Sequence, residues 1–186
     1  LPDRIGGLER SPTIEVRPGR GSRWRGVRHL AGRGGAGPHA IEIDERDLPS
    51  AFGIRANAHA LARYAALCQE AGLVPIVEPE VLMDGAHTIE RCEEVTTEVL
   101  SLVYAELTAH RVALEGTLLK PNMVVSGKAC PVQAAVPQVA EATVRTLSRA
   151  VPPAVSGIVF LSGGQTPRQA TEHLNAMNAM GKHPWE

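Results

Sequence analysis

The sequence predicts an α/β fold, a sheet of parallel strands connected by helices. Three observations lead to this prediction. From residue 55 onward, short apolar runs alternate with longer segments of helical periodicity. The connections between them are short, which favours right-handed crossovers between parallel strands. Each apolar run also ends in polar residues, as strands do where a sheet binds its ligands.

Four segments have the periodicity of amphipathic helices, at residues 55–72, 88–110 and 137–150 and from Thr166 onward. Gly72 is a stop signal for the first helix. Thr166 is the expected N-cap of the fourth, with Pro167 at the first helical position. The residues expected to face the core are Leu61, Ala65 and Cys68 in the first helix, Ile89, Cys92, Val95, Val99 and Leu102 in the second, Ala140, Val144, Leu147 and Val151 in the third, and Ala170, Leu174 and Met177 in the fourth.

Three apolar runs, at residues 73–77, 112–119 and 155–161, are expected to form strands. They end at Glu78-Pro79-Glu80, Lys120-Pro121-Asn122 and Ser162-Gly163-Gly164, and these tripeptides begin 42 residues apart. One strand-helix unit per step produces such spacing, so we expect the three ends side by side at the carboxyl rim of neighbouring strands. Closed (β/α)8 barrels and open doubly wound sheets both place their chemistry there, and the spacing leaves both architectures open.

The composition limits the classes of partner and of site. The formal net charge of the 186 residues is -1, which provides no electrostatic reason to expect nucleic acid or an anionic membrane as partner. No apolar run reaches the roughly 18 to 20 residues that a membrane span needs. The three cysteines are widely spaced and the seven histidines show no zinc-ligand spacing, so we expect no disulfide framework, no metal and no cofactor. A reducing, cytoplasmic compartment is the natural expectation.

The first part of the chain differs in character from the rest. Residues 1–38 are rich in glycine and arginine with little apolar periodicity, which is typical of an irregular or disordered segment, and residues 39–186 are expected to form the α/β domain. The segment 32–37 matches GxGxxG, the glycine pattern of dinucleotide-binding folds. Because no strand precedes this pattern and no amphipathic helix follows it, a flexible glycine run is the favoured interpretation.

Lys120 is the residue with the strongest chemical signal. It is one of only three lysines among 19 basic residues, and it follows the apolar pair Leu118-Leu119. An apolar environment favours the neutral amine, the form that attacks a carbonyl carbon to make a Schiff base. A lysine that merely extends from a strand end into solvent is the alternative.

The other two strand ends offer groups that complement an amine. Glu78 and Glu80 could transfer the protons that imine chemistry requires, although a single acid after a strand is usually only a solvated loop residue. The Ser162-Gly163-Gly164 turn could bind a phosphate through its hydroxyl and backbone amides, or it could be only a turn. Together the three ends indicate an imine-based lyase that acts on a phosphorylated carbonyl compound.

Long strings of the sequence are similar to one enzyme family. The strings are Leu-Ala-Arg-Tyr-Ala (61–65), Gly-Leu-Val-Pro-Ile-Val-Glu-Pro-Glu (72–80), Leu-Glu-Gly-Thr-Leu-Leu-Lys-Pro-Asn-Met-Val (114–124) and Phe-Leu-Ser-Gly-Gly-Gln (160–165). In this order and spacing, they resemble the class I fructose-1,6-bisphosphate aldolases, from about residue 53 to residue 186. The resemblance implies a (β/α)8 barrel of which this chain, as a C-terminal fragment, holds about the second half.

The resemblance also implies a reaction and a set of roles. The reaction is the reversible, metal-free cleavage of fructose 1,6-bisphosphate to dihydroxyacetone phosphate and glyceraldehyde 3-phosphate in glycolysis, usually by a cytoplasmic homotetramer. Lys120 would form the Schiff base, Glu78 would manage the carbinolamine and imine proton transfers, and Glu80 would support the lysine. Ser162 and the backbone of Gly163 would bind the phosphate of the dihydroxyacetone phosphate half.

The sequence also departs from the family pattern. Arg23 stands where the family has an active-site lysine, and arginine cannot donate a proton in the same way. The segment near residues 39–47 has no evident family counterpart. Two alternatives to an active aldolase therefore stay open: a catalytically inactive fragment that acts as a binding or assembly module, and a related Schiff-base barrel lyase such as a transaldolase-like enzyme.

Overall fold

The computed structural model describes residues 27–28, 40–44 and 48–184. It confirms the α/β fold class, with helices that alternate with short parallel strands. The predictions on Arg23, on the GxGxxG segment and on most of residues 1–38 lie outside the described residues. The strands are β1 (Val27–Arg28), β2 (Ala40–Ile41), β3 (Val74–Val77), β4 (Glu80–Val81), β5 (Leu118–Leu119) and β6 (Gly157–Ile158), and the helices are α1 (Ala51–Glu70), α2 (Ile89–Ala109), α3 (Val136–Ala150) and α4 (Pro167–Ala179).

The order of the strands distinguishes between the two architectures that the sequence left open. The larger described sheet runs β1-β3-β5-β6, so that its own strands lie side by side in chain order, and every pair is parallel. The helices follow the same order, since α1 packs on α2, α2 on α3 and α3 on α4. A doubly wound sheet reverses its strand order at a switch point, whereas a barrel proceeds in one direction. The described elements therefore form an arc of a (β/α) barrel.

A second, two-stranded sheet was not expected. It pairs β2 with β4 in parallel, with Ala40 beside Glu80 and Ile41 beside Val81. The backbone N–H of Leu82 continues this pairing by donating to the Ile41 carbonyl over 2.8 Å. Glu80 is therefore part of a hydrogen-bonded strand and not of a free loop.

Side-chain caps determine where the helices begin. The Ser50 hydroxyl accepts a hydrogen bond from the Gly53 N–H over 3.1 Å, so α1 begins at Ala51, before the predicted start at residue 55. Thr88 caps α2 as N-cap, close to the predicted bounds of that helix. In α4, Thr166 and Gln169 cap each other reciprocally with Pro167 at the first helical position, which confirms the predicted start.

Two of the three predicted strands are shorter than expected. The first prediction is confirmed by β3, but residues 112–119 contain a 3₁₀ turn, Leu114–Gly116, before β5. The reason lies in Gln69 of α1, whose amide accepts from the Ala113 N–H (2.9 Å) and donates to the Ala113 carbonyl (2.8 Å). The backbone of Ala113 is thereby tied to a helix and not to a neighbouring strand. Residues 155–161 form only the two residues of β6.

The main core lies between the helices and the sheet. The predicted faces of α1 and α2 are largely confirmed, because Leu61, Ala65, Val95 and Val99 are buried. The prediction for α4 is partly wrong: Leu174 is 38% exposed, and His173 is buried in addition to Met177.

Among the described residues, no helix combines the length and the apolar character that a membrane span requires.

Leu107 of α2 offers a direct measure of this core, because its side chain is fully buried. Replacing Leu107 by alanine removes buried methyl groups and leaves a cavity, so we expect Leu107→Ala to lower the free energy of unfolding by about 2–5 kcal/mol in urea denaturation. Leu67 of α1 is 60% exposed and is the matched control. An equal loss in Leu67→Ala would contradict the described packing.

Candidate active site

Glu78 and Lys120 form an ion pair at the ends of two adjacent strands. The register of β3 and β5 places Val77 beside Leu119, so the next residue on each strand is Glu78 or Lys120. The backbone N–H of Lys120 donates to the Val77 carbonyl over 2.8 Å, which extends the pairing to this point. Lys120 Nζ then lies 3.1 Å from Glu78 Oε2, with the two side chains 24% and 23% exposed. The structure thus brings together two of the predicted site residues.

Glu80 adds a second carboxylate to the same site. Partial burial raises the pKa of the Glu80 carboxyl, and the negative charge of Glu78 raises it further. The Lys120 ammonium lowers that pKa and Asp84 raises it to a smaller extent, with a net shift upward. A carboxyl with a raised pKa holds its proton more readily near neutral pH than an ordinary glutamic acid does. The site thus holds, beside the Glu78–Lys120 pair, a carboxyl that binds a proton more readily than usual.

The Ser162-Gly163-Gly164 turn lies next to Glu80. Both glycines have left-handed backbones, with φ of +58° and +88°, and consecutive backbone amides in such turns can converge on an anion. A Cβ atom added to Gly163 would lie 4.0 Å from Glu80 Oε1 and 3.2 Å from Leu161 Cδ1. Ser162 is exposed, and its carbonyl accepts from the Gln165 N–H over 3.0 Å.

Measured along the strands from the paired residues, the Ser162-Gly163-Gly164 turn lies further out than Lys120 does. The register aligns Leu119 with Ile158, so Lys120 follows directly after the paired position whereas Ser162 follows only after three intervening residues. The equal sequence spacing of Glu78, Lys120 and Ser162 therefore does not mean equal height at the rim.

Lys128 places a second cation near this turn. Its Nζ lies 2.9 Å from Asp84 Oδ1, in an exposed ion pair. A Cβ added to Gly164 would lie 2.9 Å from the same Nζ, so Lys128 is in close contact with the glycine backbone. Lys128 was not predicted from the sequence, because it lies eight positions after Lys120 in a segment without periodicity.

Asn122 is a buried polar residue whose hydrogen bonds connect the segments that carry the site. Its Oδ1 accepts from the Val81 N–H over 2.9 Å, and its Nδ2 donates to Thr96 Oγ1 (3.2 Å) and to the Met123 carbonyl (3.1 Å). These bonds connect the strand of Glu80 to helix α2 and to the segment after Lys120. Sequence reasoning assigned no role to Asn122, although an amide amid the apolar residues of 118–125 was a usable signal.

We expect Asn122→Ala to lower the free energy of unfolding by about 1–3 kcal/mol, because the buried Val81 N–H loses the Asn122 side-chain acceptor and the Thr96 hydroxyl loses one of its contacts. Urea denaturation measures the change. Asn175→Ala, at an exposed position of α4, is the matched control and should change stability little. A near-zero effect of Asn122→Ala would show that the bonds to Val81 and Thr96 do not support this rim.

The raised pKa of Glu80 predicts a pH-dependent difference in stability. A carboxyl whose pKa is raised by folding makes the ionised native state less stable, and this cost disappears as the pH falls through the raised value toward 4.5, the ordinary value. We therefore expect Glu80→Gln to be more stable than the parent chain at neutral pH, with a difference that narrows toward pH 4.5. Thermal unfolding across this range is the measurement, with Glu98→Gln on α2 as control. A constant difference would contradict the assignment.

Comparisons with known proteins agree with this arrangement. Residues 39–186 match the family model "Fructose-bisphosphate aldolase class-I". The chain is 58% identical over 146 residues to a fructose-bisphosphate aldolase of Dictyostelium discoideum, and 54% identical over 146 residues to fructose-bisphosphate aldolase C of Homo sapiens. Each match covers 78% of this chain, but 41% and 40% of the respective relative. The chain thus spans about two fifths of the length of these relatives.

A solved structure shares the fold. It is that of the fructose-bisphosphate aldolase from Plasmodium falciparum, in complex with TRAP and a small-molecule inhibitor. The TM-score is 0.77 at 51% sequence identity, with coverage of 78% of this chain and 42% of the other. This likeness confirms the predicted partial (β/α)8 barrel. With the family match over residues 39–186, it shows that the chain belongs to the class I fructose-bisphosphate aldolase family.

Proposed function

We propose that this chain supplies the Schiff-base centre of a class I fructose-bisphosphate aldolase, with Lys120 as the amine that attacks the ketose phosphate. One observation carries the proposal. Lys120 Nζ lies 3.1 Å from Glu78 Oε2 at the end of a buried strand, with the raised-pKa carboxyl of Glu80 beside it. An amine, a base and an acid within one site are the groups that imine formation needs.

Imine formation requires two proton transfers, and the two carboxyls are proposed to carry them out. The Lys120 ammonium must first lose a proton, and Glu78 is within hydrogen-bonding distance to receive it. The neutral amine then adds to the substrate carbonyl to form a carbinolamine, whose hydroxyl leaves as water when it is protonated. Glu78 and Glu80 are proposed to supply that proton. The resulting iminium draws electrons from the adjacent carbon-carbon bond and so weakens it.

The phosphate of the substrate is proposed to bind at Ser162 and the backbone N–H of Gly163. The left-handed conformation of both glycines in this turn supports the proposal, as does the Lys128 cation in contact with Gly164. Glu80 lies close by, and because its pKa is raised, it is protonated more readily than an ordinary glutamic acid, which lessens its repulsion of an anionic phosphate. The substrate class is therefore a phosphorylated ketose such as fructose 1,6-bisphosphate or its dihydroxyacetone phosphate half.

The proposal extends to the setting of the protein. The family model is described as glycolytic, so we place the reaction in glycolysis. We also propose a cytoplasmic location and a homotetrameric assembly, because the resemblance to the family implies both.

The proposal is tested by incubating the folded chain with dihydroxyacetone phosphate, reducing with borohydride and mapping the modified peptide by mass spectrometry. We expect one adduct, on Lys120, since an imine is reduced to a stable secondary amine only where it forms. The chain has only two other lysines, Lys128 and Lys182, so the map distinguishes every candidate. Lys120→Arg keeps the positive charge but should abolish the adduct, whereas Lys128→Arg should retain it.

An adduct on Lys128 or Lys182, or none in a sample that circular dichroism shows to be folded, would overturn the assignment of Lys120. The second outcome would favour the alternative function, a non-catalytic binding or assembly module.

The role of Glu78 has its own test. We expect Glu78→Gln to slow adduct formation by about 10²- to 10⁴-fold, because the amide cannot accept the lysine proton. The rate of borohydride-trapped adduct against time is the measurement. A rate equal to that of the parent chain would mean that another group deprotonates the amine. Glu98→Gln, on the surface of α2, is the matched control and should leave the rate unchanged.

A further inference from the structure

Two histidines and a glutamate meet on the outer face of helices α1 and α2. His59 Nδ1 lies 3.2 Å from Glu106 Oε2, and His110 Nδ1 lies 3.7 Å from the same oxygen. The two imidazole rings are in edge-to-face contact, with centroids 4.9 Å apart. One candidate ligand atom from each residue falls within 4.8 Å of the others. The cluster lies on the helices and is separate from the proposed Schiff-base site on the strand ends.

We propose that His59, Glu106 and His110 form a binding site for a transition-metal ion such as Zn²⁺. A tetrahedral zinc ion with bonds of about 2.0–2.1 Å separates its ligand atoms by about 3.3 Å. The 3.2 Å contact already matches that separation, and the wider spacing within the cluster closes by side-chain rotation, since His59 is more than half exposed. Two histidines and one carboxylate form an established zinc-ligand set that leaves a fourth position for water.

The ligand chemistry selects the class of metal. Imidazole nitrogens favour Zn²⁺, Cu²⁺ and Ni²⁺, whereas Mg²⁺ and Ca²⁺ require mostly oxygen ligands. The thiols of Cys68, Cys92 and Cys130 are all buried, so they do not compete for an added ion. Zn²⁺ is therefore the appropriate probe and Mg²⁺ the negative control.

The helices fix the backbone positions of the three residues. Glu106 and His110 are four residues apart, at the end of α2, and so project from the same face. His59 projects from α1, and its neighbour Ala58 is fully buried, as is Leu107 next to Glu106. The backbone positions of the ligands are thus set by the packed core between α1 and α2.

His110 already has the second contact that orients a metal-bound imidazole. Its Nδ1 lies 2.9 Å from the Glu106 carbonyl oxygen, and a carbonyl can only accept a hydrogen bond. With the proton on Nδ1, the lone pair of the neutral ring is on Nε2, so Nε2, and not the Nδ1 that contacts Glu106, is the His110 atom proposed to coordinate the ion while the carbonyl fixes the ring. A bound ion would join α1 to α2 across residues that are 47 positions apart in sequence. Stabilisation of the native chain by the ion is the expected consequence.

The sequence analysis expected no metal site, because neither the histidines nor the cysteines show zinc-ligand spacing. The present cluster depends on a contact between two helices, and only the pair Glu106 and His110 is local in sequence. Sequence spacing alone therefore could not identify His59 as a member of the cluster.

The test is titration of the full 186-residue chain with Zn²⁺ in excess Mg²⁺, followed by calorimetry and by the NMR signals of the histidine rings. We expect one saturable equivalent of Zn²⁺, selective shifts of the His59 and His110 ring signals, and a rise in the unfolding temperature. His59→Ala and Glu106→Gln should each weaken the binding by about tenfold or more. The matched controls, His183→Ala and Glu98→Gln, should bind as the parent chain does.

The proposal is overturned if Zn²⁺ does not bind saturably, or if His59→Ala and Glu106→Gln bind it with unchanged affinity. The NMR shifts keep the test valid even where a variant is less stable, because they are measured on the parent chain. Shifts confined to other histidines would place the zinc elsewhere and would equally overturn the proposal.

Discussion

The register of the parallel strands β3, β5 and β6 is the constraint on which the proposed site depends. Val77 pairs with Leu119, and Leu119 pairs with Ile158. A slip of one residue between β3 and β5 would move Glu78 away from Lys120 and turn alternate side chains to the opposite face. The Lys120 N–H bond to the Val77 carbonyl and the Val159 N–H bond to the Leu119 carbonyl hold this register one residue beyond the paired strands. The ion pair is thus a consequence of backbone pairing.

Stability and chemistry are divided between two parts of the structure. The largest fully buried side chains come mainly from the helices and from the strand faces that they cover, including Leu61, Leu100, Leu107 and Leu119. The strand ends instead gather an amine and two carboxyls in a half-buried setting, where burial raises the pKa of Glu80 at a cost to the native state. An apolar core of this kind can offset such a local cost, and this is the usual relation between a scaffold and its functional site.

Much of this arrangement was predictable from local signals, and the rest depends on contacts between distant segments. Thr166 and Pro167 mark the start of α4 because capping is a property of a few adjacent residues. The predicted strand at 112–119 was too long because Gln69, on another helix, binds the backbone of Ala113. Periodicity identified Met177 as buried but not His173, whose ring contacts the Gln165 side chain. The bridging role of Asn122 and the His59 contact likewise require the tertiary fold.

We propose that three strand ends form one site, with the carbonyl of the substrate at Lys120 and its phosphate at Ser162 and Gly163. A crystal structure of the chain after reduction with dihydroxyacetone phosphate tests this claim most directly. We expect continuous electron density from Lys120 Nζ to the ligand, with the phosphate accepting hydrogen bonds from the Ser162 hydroxyl and the Gly163 N–H. A phosphate bound elsewhere, or a ligand not bonded to Lys120, would contradict it.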